Sequence, residues 1–127
     1  MADITNVEAT LNAGETFSFS AGAASQTFEF GVPDEKLIVL VKNEDTSGTD
    51  SAAEPATVTF EAGDFIQSGY GDIAVAVTDT NPLAVVELES GVVKDADGEV
   101  TVTVTDADGS EFTGTVANVK IAVIELE

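Results

Sequence analysis

Residues 99–105 read Glu99-Val100-Thr101-Val102-Thr103-Val104-Thr105, and the strict alternation of valine with a polar residue has a period of two rather than the 3.6 of a helix. This is a strand with one buried face and one wet face. The same pattern recurs at Thr16-Phe17-Ser18-Phe19-Ser20, Thr27-Phe28-Glu29-Phe30, Thr57-Val58-Thr59-Phe60-Glu61, Asp72 to Thr78 and Leu83 to Leu88, each placing its large apolar residues mostly on one face. Leu37-Ile38-Val39-Leu40-Val41, between Lys36 and Lys42, is apolar on both faces and predicts a central strand covered on each side. From Val116 to Leu126, Val119, Ile121 and Val123 share one phase while Ile124 and Leu126 take the other, which predicts a bulge or a second buried face near Val123. No stretch reads as a helix.

Between these runs lie chain reversers: Asn12-Ala13-Gly14, Gly31-Val32-Pro33-Asp34 and Asn81-Pro82. The tetrapeptide Asp-Ala-Asp-Gly occurs at Asp95 to Gly98 and again at Asp106 to Gly109, bracketing the valine-threonine strand as two hairpin ends. The expectation is a single all-β domain over residues 1–127, an antiparallel β-sandwich, Ig-like or jelly-roll-like, with about eight to ten strands around a Phe, Val and Ile core. Residues 1–11 are read as an extended N-terminal arm available to a neighbouring molecule.

Two segments exceed ordinary turns. Glu44 to Glu54 is entirely polar or small and is read as a projecting loop. Gly63-Asp64-Phe65-Ile66-Gln67-Ser68-Gly69-Tyr70-Gly71 sets Phe65, Ile66 and the chain's one tyrosine among three glycines. Apolar residues on such a loop either fold under to plug one end of the sandwich or anchor a partner.

Charge narrows the function. The chain carries 24 Asp plus Glu against four lysines and no arginine, a formal net charge of −20. Such a surface repels nucleic acid and anionic membranes, whose binding relies on Lys and Arg. Self-repulsion on so small a body is relieved at molar salt, where the Debye length falls to about 3 Å, so the composition points to a halophile. Periodic apolar runs argue against an acidic disordered chain. The N-terminus shows no secretory pattern and no stretch has the length of a membrane span.

Chemistry has few footholds. There is no cysteine, hence no disulfide or thiolate site, and no histidine, which removes the usual general base and the commonest metal ligand. With 24 carboxylates, close pairs arise by chance and do not mark a catalytic site. No enzyme activity, catalytic residue or cofactor is expected. Asp95, Asp97, Asp106 and Asp108 are weak candidates for calcium, but glycine stands at the fourth position rather than the sixth and no glutamate stands at the twelfth. The turn reading is preferred. The four lysines are expected to pair with carboxylates of their own chain.

From Leu37 onward the order of features resembles small head-decoration or capsid-stabilising proteins of tailed viruses. The pieces are Leu37-Ile38-Val39-Leu40-Val41-Lys42-Asn43, then Ala56 to Asp64, Gly71 to Val77, Glu87-Leu88-Glu89-Ser90, Lys94 to Gly98, and Gly114-Thr115-Val116 leading into the last strand. The order carries the resemblance, and the first 36 residues lie outside it. It implies a compact β-domain on the exterior of a virion, assembled in the host cytoplasm, reinforcing the shell by packing against the major capsid protein and copies of itself. It further implies a homo-oligomer, with a trimer as one arrangement. Phe65, Ile66 and Tyr70 are the expected partner contacts. Turret, fibre or tail components are variants of this reading, and a cell-surface or filament module is the alternative.

Overall fold

The computed structural model describes residues 3–10, 13–45 and 54–126. Among them are eight strands: β1 (Val7–Ala9), β2 (Ser25–Glu29), β3 (Leu37–Asn43), β4 (Ala56–Phe60), β5 (Ile73–Val77), β6 (Leu83–Val86), β7 (Glu99–Asp106) and β8 (Val119–Leu126). They form two four-stranded sheets ordered β1-β8-β3-β6 and β2-β7-β4-β5, here the β8 sheet and the β7 sheet. The fold is an all-β sandwich. Strands β2 with β7, β3 with β6, and β4 with β5 pair antiparallel, which is one long hairpin nested around its β4–β5 apex and rolled into two layers. The ladders of β3 with β8 and β4 with β7 knit each layer together. This nesting is a jelly-roll connectivity.

One pairing departs from the antiparallel expectation. β1 runs parallel to β8, matching Val7 with Ile124 and Ala9 with Leu126. The N-terminal segment starts on the opposite sheet, where the Asp3 and Ile4 amides donate to Thr27 O at 3.0 and 2.9 Å, drops Ile4 into the core, and then crosses to the β8 edge. The described part of the segment read as a free arm, residues 3–10, therefore lies on the chain's own sheets. The run Thr16 to Ser20 forms no strand; only Ser20 bridges Ile121. Continuing that antiparallel pairing would set Phe17 and Thr16 opposite Ile124 and Glu125, an edge that β1 already occupies.

Alternation sets the core. Val100, Val102 and Val104 of β7 meet Phe28, Val58 and Phe60 from the adjacent strands, all buried. The rings of Phe28 and Phe60 meet edge-on, with centroids 6.4 Å apart at 77°, a geometry favoured by the aromatic quadrupole. From the other sheet Leu37, Val39 and Val41 interleave with Val119, Ile121 and Val123. The β3–β8 ladder runs without interruption from Leu37 opposite Glu125 to Asn43 opposite Val119. Neither expectation near Val123 is realised: the ladder has no bulge, and the second apolar phase, Ile124 and Leu126, is half-buried and exposed rather than buried. On that face Ile38 and Leu40 stay half-exposed, so the cover expected on both sides of β3 is present on one.

A single helical turn, α1 (Ser90–Val93), occurs where no helix was expected. Its four residues show no helical period; burial of Val92 and Val93 holds it. At the far end of the sandwich the Asn43 amide donates to the carbonyls of Glu54 and Val77 at 2.7 and 3.1 Å, so β3 terminates in a satisfied polar plug. The projecting loop expected over Glu44 to Glu54 falls largely outside the described residues.

Candidate docking surface

The loop between β4 and β5 is built as a rigid base with an exposed tip. At the base the Ala62 amide donates to Asp72 Oδ1 at 2.7 Å, which cinches the loop's two ends. The Gly63 and Asp64 amides donate to the carbonyls of Val92 and Lys94 at 2.8 and 3.2 Å, and the Ala96 amide returns a bond to Asp64 Oδ2 at 2.9 Å. Gly63 lies so close to the Lys94 carbonyl that a β-carbon would overlap it, so close backbone approach requires glycine here.

Above this base Ile66–Tyr70 forms a 3₁₀ turn. Phe65, Ile66 and Tyr70 are 48%, 99% and 83% exposed. They do not fold under the sandwich. Ile66, Gln67, Gly69 and Tyr70 line a shallow groove of about 300 Å³. An isoleucine fully in water gains nothing for the isolated fold, since its transfer free energy is collected only on burial. The structure brings the three residues of the sequence expectation together on one loop.

The four weak metal candidates are separated. Asp95 and Asp97 precede β7, whereas Asp106 is its last residue and Asp108 lies beyond it at the opposite end, about 24 Å away for an eight-residue strand. Their carboxylates serve turns: Asp95 Oδ1 accepts the amides of Asp97 and Glu99, each at 2.9 Å, and Asp106 Oδ1 accepts the Thr113 amide at 3.0 Å. Gly98 and Gly109 close both turns at φ of 83° and 86°, a region that favours glycine. Hydrogen bonds from Ser110, hydroxyl first and amide second, hold the Asp108 carboxyl below its usual range. Among the described residues no group of three or more carboxylates is placed to hold a metal ion.

Lysine pairing concentrates on the outer side of the β8 sheet. Lys42 and Lys120 stand directly opposite each other across β3 and β8, an unfavourable juxtaposition relieved by Glu44, whose two oxygens lie 2.8 and 2.7 Å from the two ammonium groups. Hydrogen bonding to Lys120, then to Lys42, lowers the Glu44 pKa from 4.5 to about 2. The Lys42 ammonium also lies 5.8 Å from the Phe19 ring centroid.

A second exposed surface was not singled out from the sequence. Ile38 and Leu40 of β3, Ile124 and Leu126 of β8, and Leu83 and Val85 of β6 share the outward face of the β8 sheet. Two signals pointed to it: the double-sided apolar run Leu37 to Val41, and the phase of Ile124 and Leu126. Both were read as buried. Among the described residues no helix is long and apolar enough to cross a membrane. Set against known protein families, curated proteins and solved structures, the chain matches none.

Proposed function

We propose that this protein is a structural component of the virion of a tailed virus of a halophile, decorating or stabilising the capsid by packing against the major capsid protein. The observation that carries the proposal is the β4–β5 loop, held at its base by backbone hydrogen bonds and presenting Ile66 and Tyr70 to solvent. A preorganised apolar tip binds without an ordering cost, and aromatic and aliphatic anchors of this kind dominate interface energetics. A net charge of −20 suits contacts made in molar salt, where repulsion between neighbouring copies is screened. The jelly-roll connectivity is compatible with this role but does not select it.

A cell-surface or filament module is the second reading, favoured by β6, an uncharged strand at the edge of the β8 sheet with Leu83 and Val85 in water. Such an edge is open to strand addition. Fractionation of a halophile lysate on a density gradient in molar KCl, followed by quantitative mass spectrometry, separates the two. Co-migration with DNA-filled particles at a fixed ratio to a major capsid protein is expected. Migration with envelopes or free filaments would overturn the capsid reading and leave the surface module.

A further inference from the structure

The outward face of the β8 sheet has a charge pattern as well as an apolar one. Its centre, made by Ile38, Leu40, Ala122, Ile124 and Val85, contains no carboxylate. At the end where β3 finishes, Lys42 and Lys120 stand side by side across Glu44. At the end where β3 begins, Glu35 precedes β3 and Glu87, in phase with Leu83 and Val85, follows β6; the two carboxylates line one hollow, and Lys36 is in phase with Ile38 and Leu40. One end of the apolar stripe thus carries two lysines around one carboxylate, and the other carries two carboxylates and one lysine.

We propose that this face packs against the same face of a second copy, about a two-fold axis lying in the interface and crossing the strands. That axis reverses the strand direction. Each lysine end then covers the partner's carboxylate end, and the uncharged centres meet. The alternative two-fold, along the strands, would stack Lys42 and Lys120 on their own counterparts. Self-complementarity of this kind is what a closed isologous dimer requires, whereas an unrelated partner has no need of it.

Charge also selects the face. A body of net charge −20 resists its own copy wherever carboxylates lead the approach, and the stripe lets two copies meet on uncharged surface. Four strands at about 4.8 Å and a seven-residue ladder at about 3.3 Å per residue make a flat area near 400 Å² per copy, in the class of small, reversible interfaces. Leu40, the midpoint of β3, falls on the axis and faces its own counterpart. The inference is independent of the β4–β5 loop.

Sedimentation equilibrium in 2 M KCl tests it, with circular dichroism as the control for folding. The wild-type chain is expected at twice its monomer mass. Leu83→Asp with Val85→Asp, at two exposed sites, is expected to weaken association about thirtyfold or more, while Ile66→Ser leaves it unchanged. In a mixture of isotopically labelled and unlabelled protein, intermolecular NOEs are expected between Leu40 and Leu40 and between Ile38 and Lys42. A monomer at every concentration, a mass of three copies, association indifferent to the paired aspartates, or NOEs joining Lys42 to Lys42 would each overturn the proposal.

Discussion

On the outside of the β7 sheet, register places Thr57 opposite Thr105, Thr59 opposite Thr103 and Thr27 opposite Thr101; on the outside of the β8 sheet, Leu40 lies opposite Ala122 and Val85, and Ile38 opposite Ile124. Backbone geometry at these positions is the same. Threonine keeps the β-branched shape that suits a pleated strand while its hydroxyl faces water, so the β7 sheet is finished as an outer surface. The β8 sheet has equally good strand formers without the hydroxyls, and its half-exposed leucine and isoleucine side chains have the chemistry of an interface. The difference teaches that strand propensity alone does not identify which side of a sheet meets solvent.

The largest effect that sharpens this contrast is inside β4, where adjacent residues face opposite ways. Phe60→Ala, which removes a fully buried ring, is expected to cost about 3–5 kcal/mol, and Thr59→Ala, on the outer face, about 0.5 kcal/mol or less. Denaturant titration in molar KCl reads both. Equal losses would show that the outer face of the β7 sheet is also load-carrying and collapse the distinction.

Exchanging the chemistry of the two faces breaks the comparison directly. Leu83→Thr with Val85→Thr is expected to abolish concentration-dependent association in light scattering, with unfolding free energy changed by only about 0.5 kcal/mol. Thr59→Leu with Thr103→Leu is expected to create association through the opposite sheet. Each result isolates surface chemistry from fold.

A third surface, the loop tip, is expected to behave independently of both sheets. Ile66→Ser with Tyr70→Ser should leave unfolding within about 0.5 kcal/mol of wild type, because neither side chain is buried. Rebinding to purified particles depleted of the protein should be lost. Retained binding would move the contact to one of the sheet faces.

The smallest effect concerns Glu44. Its folded pKa of about 2 lies below the ordinary 4.5, so the pairing with Lys120 and Lys42 contributes stability above pH 4.5, and this contribution disappears as pH falls from about 4.5 toward 2. Glu44→Gln is expected to flatten that part of the stability profile slightly, less so at molar salt because the pair is exposed to screening. Thermal unfolding across that pH window measures it, and an unchanged slope would mean that the lysine pair is held apart by other means.

Much of the strand content was legible because alternation is a local property. Val100, Val102 and Val104 declare the inner face of β7 without reference to any other residue, and the two Asp-Ala-Asp-Gly turns declare its ends. The segment Thr16 to Ser20 alternates just as well and yet forms no strand, because β1 takes the edge it would need. The candidate contact residues were also legible as an apolar cluster on a glycine-rich loop. Their orientation was not, since it depends on hydrogen bonds from Gly63 and Asp64 to α1 and the residue after it, some 30 positions later.

By itself the sequence determined the all-β class, the inward residues of most strands, the tight turns and a net charge of −20, since each follows from local pattern or composition. Only the tertiary structure decided the rest: which strands share a sheet, that the N-terminal strand runs parallel to the last, that Phe65, Ile66 and Tyr70 point outward, and that the second face of β3 is left half-exposed. Those outcomes depend on competition between distant segments for the same sheet edges and the same core volume, and a local pattern carries no record of its competitors.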